Sequence, residues 1–262
     1  MNNEYAAQAA RHTRRVLELS SQYLRGHSEA ACETLETLWA QTQTYYDNGC
    51  DAYAGVLAAH AHTLALWHVN EAYNPEKAIS LASLAAERYT EYQQSDTVRA
   101  QSEDERRTLQ LYLWQTQLIC AYAHSMRDNM FDALEWLQKI PAERGGAVYF
   151  ALLGTVQFSV LRDYHYDPYF PSALALFQLM DQNLPSSVRH VYEEDILRSA
   201  YGFYTLYYTH GVKNSQYPVP HDPQYALHLL RRVQPVLSDE QQKTWLQETI
   251  DTLQSAIEHG GV

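Results

Sequence analysis

Residues Leu109–Pro141, LQLYLWQTQLICAYAHSMRDNMFDALEWLQKIP, read as two helices folded back on each other around a polar turn. In the first arm, Leu109 to Met126, one apolar line runs through Leu111, Trp114, Leu118 and Tyr122. A second runs through Leu109, Leu113, Cys120 and Ala123. A helix that is apolar on two sides needs neighbours on two sides. Arg127-Asp128-Asn129 supplies the turn, with Asn129 placed to cap the second arm. There Ala133, Trp136, Leu137 and Ile140 fall at offsets of 0, 3, 4 and 7 until Pro141 ends the helix.

The rest of the chain varies this hairpin. With 262 residues, only 10 Gly and no alternating Val/Ile/Thr run of strand length, the sequence predicts an all-α fold forming one helical-repeat domain over residues 1–262. The 31 acidic side chains outnumber the 19 basic ones, for a net charge of -12, which repels a phosphate backbone and argues against nucleic-acid binding. Cys32, Cys50 and Cys120 are odd in number and far apart, which indicates neither a disulfide framework nor a zinc knuckle. No basic, apolar leader opens the chain and no apolar run reaches membrane-spanning length, so the expectation is a soluble, cytoplasmic protein without a membrane partner.

From the N-terminus, Val16, Leu19, Tyr23 and Leu24 mark a first helix that Gly26 ends, and Ala31, Leu35 and Leu38 a second, closed by Asp47-Asn48-Gly49. Asp51 opens a long helix to about Tyr73, and Asn74-Pro75 cap and start the next. Gln93 to Asp104 reads as a surface loop or frayed end. After Gly145-Gly146, Val148, Leu152, Val156 and Val160 are answered by Ala173, Leu176, Phe177 and Met180. Tyr192 to His210 is answered by Ala226, Leu229, Leu230 and Val233, behind Asp222-Pro223. Ser238-Asp239-Glu240-Gln241 reads as a capping box for a last helix with Leu246, Ile250, Leu253 and Ile257 on one side. Its other side, rich in Gln, Glu and Lys, suits the wet face of a terminal element.

Four second arms begin with a small residue, Ala78, Ala133, Ala173 and Ala226, followed by apolar residues at +3, +4 and +7; the arm at Ala31 fits all but the +3. A small residue there lets a second helix approach closely. This pattern resembles the tetratricopeptide family, in which an Ala opens the second helix and a Pro often follows at +12, a position Pro185 fills. Gly154 and Gly202 resemble the small residue of that family's first helix, although both lie farther from the next Ala than the family spacing. The Ala positions are separated by 47, 55, 40 and 53 residues, against a family repeat of about 34. The resemblance implies a right-handed helical-hairpin solenoid of about eleven helices whose first arms line a concave, protein-binding face.

His60, His62 and His68 are candidate metal ligands by residue type. On a helix, however, His60 and His62 stand about 200° apart and only His60 and His68 share a face. Asp163-Tyr164-His165-Tyr166-Asp167 gathers two carboxylates and an imidazole, but reads as a polar connector in which Asp167-Pro168 starts a helix. Glu193-Glu194-Asp195 fits a first helical turn, where acids favour the positive end of the helix dipole. No nucleophile elbow or phosphate loop occurs, so neither catalysis nor a cofactor is expected.

The sequence holds 21 Tyr against 6 Phe, a bias that fits rings between helices with wet hydroxyls as well as rings in a groove. Between Tyr192 and His210, Leu197, Tyr201, Tyr204 and Tyr208 form one line and Ile196, Ala200, Phe203 and Tyr207 a second, more core-like one. The expectation is a protein-interaction module binding a peptide segment or partner helix through Tyr201, Tyr204 and Tyr208, with Tyr217 at the rim. Two other readings are an acidic inhibitor or immunity-type protein that neutralises a basic enzyme, and a metal-dependent enzyme using His60 and His68.

Overall fold

The computed structural model describes residues 3–26, 28–47, 53–95, 98, 101–164, 169–212 and 218–260. Asn48-Gly49, Cys50, Asp51, the centre of the 163–169 connector and Tyr217 lie outside the described residues. Among the described residues eleven α-helices follow in order: α1 (Asn3–Gly26), α2 (Glu29–Asp47), α3 (Ala54–Asn70), α4 (Pro75–Gln94), α5 (Glu103–Ser125), α6 (Met130–Leu137), α7 (Ala147–Tyr164), α8 (Tyr169–Gln182), α9 (Val191–His210), α10 (Pro223–Val233) and α11 (Glu240–Glu258). The protein is all-α, and among the described residues extended pairing is confined to one antiparallel bridge, Val212 with Val219.

The chain divides into two compact units, Met1–Asn129 and Met130–Val262, and the boundary falls in the turn after α5. In the first unit α3 is central, packing on α1, α2, α4 and α5. In the second, α9 has this place, packing on α7, α8, α10 and α11. Within each unit the odd-numbered helices thus pack on one another as well as on their even-numbered partners.

Helix starts follow local chemistry. Asn74 Oδ1 accepts from Lys77 N at 3.2 Å with Pro75 in the first turn, and Asp222 Oδ1 accepts from Tyr225 N at 2.9 Å ahead of Pro223. Several expected boundaries shift: α6 ends at Leu137, short of Ile140 and Pro141, and α3 ends at Asn70, short of Tyr73. Helix α5 begins at Glu103, not near Leu109, because Ser102 and Glu105 form a reciprocal capping box at the end of the stretch Gln93 to Asp104, expected to be a surface loop or frayed end. Helix α11 is capped by Asp239, which accepts from Gln242 N at 2.8 Å; Ser238 is not the cap.

The small residues that open the second arms are all deeply buried: Ala78, Ala133, Ala173 and Ala226 at 0 % exposure and Ala31 at 3 %. Ala133→Leu is therefore expected to overpack the α6 contact and destabilise by about 1–3 kcal/mol. A urea midpoint equal to wild type would show that the site has room. Gly154 also meets a tight contact, since a Cβ there would stand 2.7 Å from the Phe177 ring, within the α7–α8 pair.

The three histidines of α3 are buried and reach two neighbouring helices, α2 and α5. His60 Nε2 donates to the Leu35 carbonyl at 2.9 Å, which leaves Nδ1 to accept from Thr42 Oγ1 at 2.9 Å. Thr42 Oγ1 in turn lies 2.7 Å from His12 Nε2 on α1. His62 Nδ1 meets Thr116 Oγ1 of α5 at 2.7 Å, and His68 Nε2 meets Glu36 of α2 at 2.8 Å, beside Lys77 of α4.

Burial holds His60 neutral, lowering its pKa from 6.5 to about 4 against the opposing Leu35 hydrogen bond; burial also lowers His12. Between those two values the unfolded chain binds a proton that the folded chain refuses, so stability falls as pH drops through this window and is intact above it. The loss from His60 is about 3 kcal/mol on going from pH 7 to pH 4. Urea titrations across that range measure it, and His60→Gln is expected to flatten the slope. An equal slope in the variant would remove His60 as its source.

Candidate functional site

The second unit carries an apolar groove of about 740 Å³ between α9 and α11, floored by Leu230 of α10. Its α9 wall runs from Arg198 to Thr209 through Gly202 and Leu206, and its α11 wall from Trp245 to Ala256 through Glu248 and Thr252. Leu206 and Trp245 remain 45 % and 40 % exposed. A Cβ on Gly202 would meet nothing within 4 Å, so this glycine leaves open space at the groove wall.

The two walls are pinned together at their N-terminal ends. Glu194, 1 % exposed, leaves the first turn of α9 and accepts from Ser238 N and Asp239 N, each at 2.9 Å, and from Ser238 Oγ. Its carboxylate thus serves orphan donors at the start of α11. One turn farther along, the Arg198 guanidinium, paired with Asp195, lies 4.4 Å from the centre of the Trp245 ring. The three successive acids, of which Glu193 and Glu194 fall in the first turn, have three tasks: Glu193 accepts from Arg189 N and His190 N, Glu194 holds α11, and Asp195 holds Arg198.

The groove surface is more apolar than its residue types suggest. Thr205 Oγ1 donates to the Gly202 carbonyl at 2.9 Å, Thr249 Oγ1 to the Trp245 carbonyl at 3.0 Å and Thr252 Oγ1 to the Glu248 carbonyl at 2.7 Å. Each hydroxyl is turned back on its own helix, which leaves the methyl groups to cover the wall.

The tyrosines expected to line a groove sit elsewhere. Tyr201 is 0 % and Tyr204 2 % exposed, and Tyr208 is half-buried. Tyr201 OH donates to Asp181 Oδ1 at 2.6 Å, a carboxylate that also meets Arg232 at 3.2 Å. Tyr204 packs between Phe177 and Tyr208, and Tyr208 packs edge-on against Tyr225. Of the first line Tyr201 and Tyr204 are thus packed; of the second Ile196, Ala200 and Tyr207 are buried, while Phe203 lines the groove. The groove lies on the side of the helix that carries Gly202, Phe203 and Leu206.

Both ring nitrogens of His60 are engaged by Thr42 and Leu35, and His68 is engaged by Glu36, so the two do not present a shared open pair to a metal. Among the described residues no group of three or more His, Cys, Asp or Glu is arranged to hold a metal ion. No helix of the described residues is long and apolar enough to cross a membrane. Comparison with protein-family models, curated proteins and solved structures returns no match.

Proposed function

We propose that the chain is a protein–protein interaction module, an adaptor or scaffold, that holds a segment of another protein in the α9–α11 groove and works in the cytoplasm. The observation that carries this reading is the groove itself, in which Leu206 and Trp245 stay exposed on facing walls while Tyr201 and Tyr204 on the neighbouring line are buried. Large apolar side chains clustered in a concavity and rimmed by polar groups favour a protein partner. A tetratricopeptide-like right-handed array is the architecture we propose around it, supported by the buried Ala positions and by the packing of odd-numbered helices on one another. The reading assigns binding and no chemistry, and the net charge of -12 favours a protein partner over nucleic acid.

A photo-crosslinking amino acid at position 206, in the native host, tests the reading. The expected result is a covalent adduct with another protein that disappears when Trp245→Asp is added to the folded chain. Adducts that persist unchanged with Trp245→Asp, or crosslinks confined to the chain itself, would overturn it.

A further inference from the structure

We infer that the occupant of the α9–α11 groove is an amphipathic helix with a basic flank, an inference that rests on reading the groove as a protein-binding site. Backbone chemistry selects the helix. An extended segment entering the groove would bring buried N–H and C=O groups that need partners. Three of the wall's threonine hydroxyls are already committed to their own helices, and Arg198 is held by Asp195 and Trp245. A helix brings its backbone already bonded and offers only side chains to this methyl-covered surface.

Dimensions agree with that choice. The walls span Arg198 to Thr209 and Trp245 to Ala256, about 17 Å at the helical rise of about 1.5 Å per residue. That accommodates about three turns of a partner helix, with apolar residues every third or fourth position set between the two walls.

Charge selects the flank. Helix α11 carries Glu240, Glu248, Asp251 and Glu258 against Lys243, and Lys243 is bonded to Glu240 at 2.7 Å. Glu248 lines the groove and has no ion-pair partner among the described residues, whereas the cation on the opposite wall, Arg198, is engaged. A Lys or Arg one turn from the partner's apolar stripe would stand against Glu248, and a carboxylate there would be repelled.

The test uses three fluorescein-labelled peptides of about 15 residues. One is a hydrocarbon-stapled helix with Leu every third or fourth position and flanking Lys. The second is the same helix with Glu for Lys, and the third is an unstapled, Pro-interrupted isomer of the first. Anisotropy titration is expected to show the basic helix binding at least about tenfold tighter than either of the others. Glu248→Lys is expected to reduce the preference for Lys over Glu, and Gly202→Leu to abolish binding without unfolding the chain.

Equal or tighter binding of the Pro-interrupted peptide would overturn the helix and leave the protein-binding groove standing. Preference for the acidic helix would overturn the charge assignment. Concentration-dependent self-association that Gly202→Leu removes would make the occupant a second copy of this chain and overturn the inference. If no peptide binds while position 206 still crosslinks a host protein, the inference fails alone; if both results are negative, the groove reading fails with it.

Discussion

Tyr201→Ala combined with Tyr204→Ala is expected to destabilise the protein by more than about 5 kcal/mol, enough to unfold a chain of ordinary stability. Both rings are almost fully buried, at 0 % and 2 % exposure. Each truncation empties a ring-sized volume, which costs about 3–5 kcal/mol in a core, and the two sites are near enough for the costs to add imperfectly. Tyr201→Ala also strips Asp181 of a hydrogen-bond donor at 2.6 Å, leaving the carboxylate to Arg232. Tyr201→Phe separates these contributions, with an expected loss of about 1–2 kcal/mol from the hydroxyl alone. Denaturant unfolding by circular dichroism measures all three. A double variant that melts with wild type and loses only partner binding would return these rings to a surface.

Glu194→Ala is expected to cost about 3–4 kcal/mol and to act on α11 first. The buried carboxylate accepts three hydrogen bonds from Ser238 and Asp239, and its removal leaves their backbone N–H groups unsatisfied beneath the start of the last helix. Glu194→Gln keeps an acceptor oxygen and is expected to lose about half as much. Hydrogen exchange followed by mass spectrometry locates the effect, since amides of α11 should exchange faster than those of α7 and α8. Uniform acceleration across the second unit would place Glu194 in its general stability and not in the anchoring of one wall.

The features legible in the sequence are those set by neighbours along the chain. Asn74-Pro75 and Asp222-Pro223 place a side-chain acceptor just before a residue that needs no N–H, and both cap as expected. The Ala-led arms were legible because a small residue at a fixed offset from larger apolar ones marks a close helix contact, and all five are buried. Ser102 and Glu105 had the same local signal, hidden at the end of a stretch whose polarity suggested a loop or a frayed helix end.

What the sequence did not disclose depends on distant partners. Glu194 meets a helix start 44 residues away, and no local pattern separates that from an acid favouring its own helix dipole. Helix α9 carries two apolar lines, and periodicity alone does not say which is buried. Asp181 decides the matter for Tyr201 by receiving its hydroxyl, which makes tyrosine an acceptable core residue there. The groove was hidden for a simpler reason. Its α11 wall contains Thr249 and Thr252, polar by residue type but apolar in effect once their hydroxyls bond back. Trp245 stood alone among Gln, Glu and Lys on a side expected to be wet.

Gly202→Leu tests the central claim most directly, because stability and binding should move in opposite directions. The new side chain enters open space and replaces a helix-interior glycine, so the protein should gain up to about 1 kcal/mol in urea unfolding. The same side chain occupies the groove. The predicted result is an unchanged or raised midpoint together with loss of the host protein that crosslinks to position 206. Retention of that partner at wild-type affinity by the folded variant would contradict the account.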